Sequence, residues 1–129
     1  MALANLKIGF LNVNGFVGQK TYEPEFNEIL EKFDILCLTE TWHSNEEYIK
    51  KVKNNLSSNF LYFENARKNK HKRSKRNSGG IIIFYRKHLH RHITVQDKKT
   101  ENMLWIKLYR FQTSIYSHYI DEHNKMIKI

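Results

Sequence analysis

The apolar residues of this chain fall into short blocks divided by polar turns, and the spacing within each block sets the element it predicts. Leu6 to Leu11 is apolar at most positions and stops at the polar turn Asn12-Val13-Asn14-Gly15, which predicts a first strand. A helix is predicted to begin near Pro24, since proline suits the first helical turn. Phe26, Ile29, Leu30 and Phe33 then recur at helical spacing and share one face, with Glu23, Glu25 and Glu28 near the N-terminal end, where negative charge is favourable. Asp34 opens a second strand, Ile35-Leu36-Cys37-Leu38, whose unbroken apolar run predicts burial on both faces. That strand runs into Thr39-Glu40-Thr41-Trp42. Ser44 reads as the N-cap of a second helix with Glu46 and Glu47 in its first turn.

Asn59 to Phe63 predicts a short aromatic strand in which Phe60, Tyr62 and Phe63 are core residues rather than platforms for stacking bases. Glu64 to Ser78 reads as a polar loop. Gly79-Gly80 then lead into Ile81 to Tyr85, the block richest in β-branched and aromatic residues. Arg91 to Val95 and Met103 to Leu108 predict two further strands. Beyond Leu108 the pattern weakens: Tyr116 and Tyr119 hint at a last strand, and Asp121 to Ile129 predicts no element. There are no repeats and no Gly/Ser-rich linker, so the 129 residues are expected to form one α/β domain.

Charge changes the picture. A formal net charge of +9 favours polyanionic partners. Much of the surplus is concentrated in Arg67, Lys68, Lys70, Lys72, Arg73, Lys75 and Arg76, which could contact phosphates, serve as a nuclear localisation signal, or form a solvated loop. His88, His90 and His92 alternate and on a strand would share a face, where they read as part of a basic surface with Lys87 and Arg91. The seven histidines and single cysteine lack the spacing of a zinc finger. Cys37 has no intrachain disulfide partner, which suits a reducing compartment. Met1 to Phe10 is too short and too polar for a signal peptide, and no apolar run nears the roughly 20 residues of a membrane span. The expectation is an intracellular protein of the nucleus or cytoplasm, with no membrane partner.

The early strand–helix–strand order carries the candidate chemistry. Such a crossover makes its two strands parallel, so both end at the same sheet edge. Asn12 and Glu40 follow those ends and are expected at one rim, where ligands of α/β sheets bind. An amide oxygen and a carboxylate are hard donors suited to magnesium.

Three segments together resemble successive motifs of the endonuclease/exonuclease/phosphatase superfamily, in the form carried by non-LTR (LINE-type) retrotransposons. They are Leu11-Asn12-Val13-Asn14-Gly15, Asp34 to Trp42 with its Thr39-Glu40-Thr41, and Ser78-Gly79-Gly80-Ile81-Ile82-Ile83. The resemblance spans roughly Leu6 to Leu108. It implies an α/β (α+β) chain forming part of a four-layer sandwich, a mixed sheet with outer helices, and a DNA endonuclease using Mg2+. Glu40 would be the metal-binding glutamate, and Asn12 the asparagine that helps hold metal and scissile phosphate.

The chain also departs from the pattern. The family continues with a Tyr-x-Pro strand, a Gly-Asp-Phe-Asn-like segment and a Ser-Asp-His-like segment. Pro24 is the only proline, Ser114-Ile115-Tyr116-Ser117-His118 echoes the tyrosine motif without its proline, no Asp-x-Asn occurs, and Asp121-Glu122-His123 does not replace the histidine segment. The resemblance thus implies an N-terminal half over residues 1–108 and a divergent tail over 109–129, with the C-terminal half of the sandwich missing. Such a chain would be a truncated or decayed copy, or a reading frame lost after Leu108. Without the base of the second half it should bind Mg2+ weakly and catalyse little alone, and a sheet face is expected to stand uncovered. The alternative is a non-catalytic nucleic-acid-binding module using the basic loop 67–76.

Overall fold

The computed structural model of the protein describes residues 5–16, 24–43, 46–54, 56–66, 79–97, 104–108 and 125–128. Strand β1 (Ile8–Asn12) leads through helix α1 (Pro24–Glu31) to β2 (Ile35–Thr39). Helix α2 (Glu46–Lys53), β3 (Phe60–Asn65) and β4 (Ile81–Arg86) follow. These strands form one mixed sheet in the order β1-β2-β4-β3, so β4 inserts between β2 and β3. The β1–β2 pair is parallel, as the crossover requires, and the β2–β4 and β3–β4 pairs are antiparallel.

The apolar run of β2 is buried throughout because its alternating side chains feed two cores. Leu36 and Leu38, with Ile82 and Phe84 of β4, join Phe26 and Leu30 of α1 and Ile49 of α2. Ile35 and Cys37, with Ile81, Ile83 and Tyr85, join a second cluster that holds Leu89, Ile93, Ile106 and Leu108. A second, antiparallel sheet supplies most of that cluster's other side: β5 (Ile93–Asp97), β6 (Trp105–Leu108) and β7 (Lys125–Lys128). Helices, mixed sheet and small sheet thus form three layers of an α/β sandwich. Each fully buried Leu, Ile or Phe contributes about 1.5–3 kcal/mol of the burial that holds them together.

The elements differ from expectation where tertiary pairing overrides local pattern. β3 runs on through Glu64 and Asn65, predicted as loop, because β4 offers Ile82 and Ile81 as partners there. Residues Lys87–His92 form a 3-10 helix, and a strand begins only at Ile93. At about three residues per turn, positions two apart do not align, so His88, His90 and His92 do not share a face. His90 turns back instead, with Nδ1 3.0 Å from the Tyr85 hydroxyl and the rings stacked. β7 lies in the stretch where the sequence predicts no element, its backbone paired with β6 so that Ile127 is in register with Ile106.

The expectation of an uncovered sheet face is corrected: β2 and β4 are covered on both sides. Among the described residues, the exposed large apolar ones are instead on the edge strand β1, Phe10 at 62% and Leu11 at 36%. Ser44, Tyr116, Tyr119 and the basic run Arg67 to Arg76 lie outside the described residues. Among the described residues no helix is long and apolar enough to cross a membrane.

Candidate metal-binding rim

Parallel pairing sets Asn12 opposite Thr39, with Glu40 the next residue along, so both predicted residues arrive at one edge of the sheet. The strands stop there, but the hydrogen bonding continues into the loops. Val13 N–H donates to the Thr39 carbonyl (3.1 Å), Gly15 N–H to that of Glu40 (2.7 Å) and Phe16 N–H to that of Thr41 (2.8 Å). On the other flank Trp42 N–H donates to the Gly79 carbonyl (2.8 Å) and Thr41 N–H to that of Gly80 (3.4 Å). The segment Thr39 to Trp42 is therefore laced between the loop after β1 and the approach to β4. The three sequence motifs, distant along the chain, form one assembly.

The backbone at this rim is strained. Glu40 and Trp42 adopt φ of 54° and 59°, in the left-handed region that bulky side chains avoid. Each such residue costs on the order of 1–3 kcal/mol and persists only where its surroundings over-determine it. Here the cross-loop hydrogen bonds do so. Asn14, also left-handed, is a residue type that tolerates the geometry, and its N–H donates to Asn12 Oδ1 at 3.0 Å in an Asx turn. Asn14 thus forms a turn that fixes the side chain of Asn12.

Glu40 is half-buried. Its Oε2 accepts hydrogen bonds from Trp42 Nε1–H (3.0 Å) and from Gly79 N–H (3.3 Å). The Trp42 ring lies against Gly15, where a Cβ would stand 2.4 Å from a ring carbon. Trp42 thus shapes the rim beside Glu40, whereas its neighbour His43 is not singled out by the sequence pattern. Thr41 and His43 are buried, Thr41 Oγ1 sits 2.6 Å from His43 Nδ1, and His43 Nε2 lies 2.8 Å from Glu64 Oε2. This strut ties the Glu40 loop to the end of β3. Its sequence signal was a Thr-x-His directly after Glu40, but the partner Glu64 is 21 residues away and becomes visible only once β3 extends past Phe63.

The donor set is of the kind a hard cation takes: Glu40 Oε1 and the Asn12 side-chain oxygen are both hard oxygen donors. Among the described residues no group of three or more His, Cys, Asp or Glu gathers to hold a metal ion. One carboxylate and one amide suit Mg2+, which keeps several waters and commonly takes phosphate oxygens as further ligands. A depression lined by Asp34, Asn59, Arg86, Lys87 and His88 lies at the opposite end of the mixed sheet, where Asp34 precedes β2 and Arg86 ends β4. Arg86 there is engaged by Glu31 and Asp34.

A family model described as Endonuclease/Exonuclease/phosphatase family matches residues 9–120. The chain belongs to that family. The match contains Asn12, Glu40 and the Gly79-Gly80 approach to β4. No curated protein matches the chain.

Proposed function

We propose that this chain derives from a magnesium-dependent DNA endonuclease of the non-LTR retrotransposon branch, with Glu40 and Asn12 as the ligands of metal and scissile phosphate. The observation that supports it best is the convergence of Asn12 and Glu40 at the ends of adjacent parallel strands, laced to each other's loops. Family membership carries the coarser part, a hydrolase of nuclease or phosphatase type. The Thr39-Glu40-Thr41 ending of a buried strand favours the retrotransposon branch, and the net charge of +9 favours nucleic acid as substrate. A reducing, intracellular setting in nucleus or cytoplasm accords with the buried thiol of Cys37.

Bound magnesium would supply polarisation of the phosphoryl oxygen and stabilisation of the leaving oxygen. Glu40 contributes the carboxylate charge that holds the cation, and Asn12 a neutral oxygen beside it. Phosphodiester hydrolysis further needs a base to activate water, itself oriented by a carboxylate. His43 is not that base, because it is buried and both ring nitrogens are engaged by Thr41 and Glu64. The 129 residues contain neither an Asp-x-Asn nor a Ser-Asp-His segment. By itself the chain is therefore expected to hydrolyse little, with residues 1–108 carrying the nuclease half and 109–129 a divergent tail.

Nicking of supercoiled plasmid, with and without Mg2+, tests this in the wild type and in Glu40→Ala. The expected outcome is at most weak Mg2+-dependent nicking that disappears in the mutant. Strong nicking lost in the mutant would overturn the inactivity of the chain alone, and nicking equal in both proteins would overturn the role of Glu40. A second reading rests on the run Arg67 to Arg76: a nucleic-acid-binding module without catalysis. It requires DNA affinity that Glu40→Ala retains and that falls steeply with salt.

A further inference from the structure

The rim does more to Glu40 than place it. Its two carboxylate oxygens have different surroundings. Oε2 receives both hydrogen bonds, from the Trp42 indole and from Gly79 N–H, whereas no hydrogen bond to Oε1 exists among the described residues. An indole N–H can only donate, so Trp42 binds the carboxylate without competing for a cation. A hydrogen bond to an ionised oxygen is charge-assisted and strong, and it fixes the plane of the group.

Trp42 is itself pinned. Its main-chain N–H donates to the Gly79 carbonyl at 2.8 Å, and its ring lies where any side chain at residue 15 would intrude. Gly15 in turn donates its N–H to the Glu40 carbonyl at 2.7 Å. The loop after β1, the indole and the carboxylate thus form a closed circuit. Trp42 holds its left-handed backbone, φ 59°, within that circuit.

We infer that Trp42 is a positioning residue whose indole N–H occupies Oε2 of Glu40, so that the carboxylate presents Oε1 alone and binds a divalent cation as a one-oxygen ligand. This rests on the reading of Glu40 as a metal ligand. It goes further by naming the oxygen and the residue that selects it. One-oxygen ligation suits the near-octahedral shell of Mg2+, while Ca2+ tolerates two-oxygen ligation by a carboxylate. Trp42 therefore biases the site toward the smaller ion. The same hydrogen bond makes the indole a reporter, because a cation on Oε1 withdraws charge from the oxygen that Trp42 contacts.

The test uses the full chain and two readouts. Mn2+ binding is followed by loss of the free-ion paramagnetic resonance signal, in wild type, Glu40→Gln and Trp42→Phe. The indole N–H resonances of the two tryptophans are followed by NMR during Mg2+ titration of the wild type, the Trp42 signal being the one that remains when Trp105 is replaced. The inference expects Glu40→Gln to lose Mn2+ binding and Trp42→Phe to weaken it about 10-fold or more, as replacing a partner of a metal ligand typically does. It also expects the Trp42 indole signal, and not that of Trp105, to move with Mg2+. The resonance arm needs no folded Trp42 variant. If Glu40→Gln loses binding while Trp42→Phe keeps wild-type affinity, or if the Trp42 signal stays still as Mg2+ binds, the role of Trp42 is overturned and Glu40 as ligand stands. If wild type and Glu40→Gln bind Mn2+ equally, or neither binds, both readings fall.

Discussion

Gly80 shows how narrowly single residues are specified at the rim. Its φ of +92° is open to glycine and strained for other residues, and a Cβ there would meet Thr41 Oγ1 at 2.4 Å and His43 Nδ1 at 3.0 Å. Gly80→Ala is expected to cost about 1–3 kcal/mol, measured as a lower urea midpoint at unchanged slope. Neither contact atom lies at the far end of a flexible chain, so the Thr41–His43–Glu64 strut must shift if the variant is to fold. Cys37 makes a prediction about pH. Burial pushes its thiol up from 9.0 to about 12. The native state thus keeps a proton that the unfolded chain releases, so this contribution is intact below about pH 9 and falls away as pH climbs towards 12. Urea midpoints at about pH 8 and about pH 10.5 should fall less for Cys37→Ala than for wild type.

At the scale of elements, the strands with the clearest patterns were readable in the sequence for a physical reason. β2 and β4 are buried on both faces, so each position but the last of either strand reports the core, and no neighbour could reassign them. Helix α1 was equally plain, since Pro24 opens it and Phe26 and Leu30 are its buried residues. What the pattern hid was decided by partners far along the chain. Glu64 and Asn65 look like loop until β4 is beside them, and the Arg91-His92 approach to β5 has strand-like alternation but folds as 3-10 helix around the buried Leu89. The candidate site divides the same way: Asn12 and Glu40 follow from strand–helix–strand order, whereas His43 and the indole contact depend on loop geometry that no periodicity encodes. The edge strand β1 carries its own prediction. Phe10 is 62% exposed, so Phe10→Ser should change stability by no more than about 0.5 kcal/mol. It should also reduce concentration-dependent light scattering, because an apolar edge strand invites pairing with other chains.

Across the whole molecule, the sheet order β1-β2-β4-β3 makes one late segment the keystone of the assembly. β4 hydrogen-bonds β2 on one side and β3 on the other, contributes to both cores, and begins just after the glycines that roof the Glu40 loop. A fragment of residues 1–79 is therefore expected to be cleaved rapidly by protease, while the full chain resists over the same period. The order of synthesis gives the feature a further meaning. As the chain leaves the ribosome, β1, β2 and β3 emerge before the strand that joins them, and both β2 and β3 wait with unsatisfied edges. The rim that carries Glu40 consequently stays open while β1, β2 and β3 wait, and a nascent chain cannot close the Glu40 loop until translation has passed Arg86.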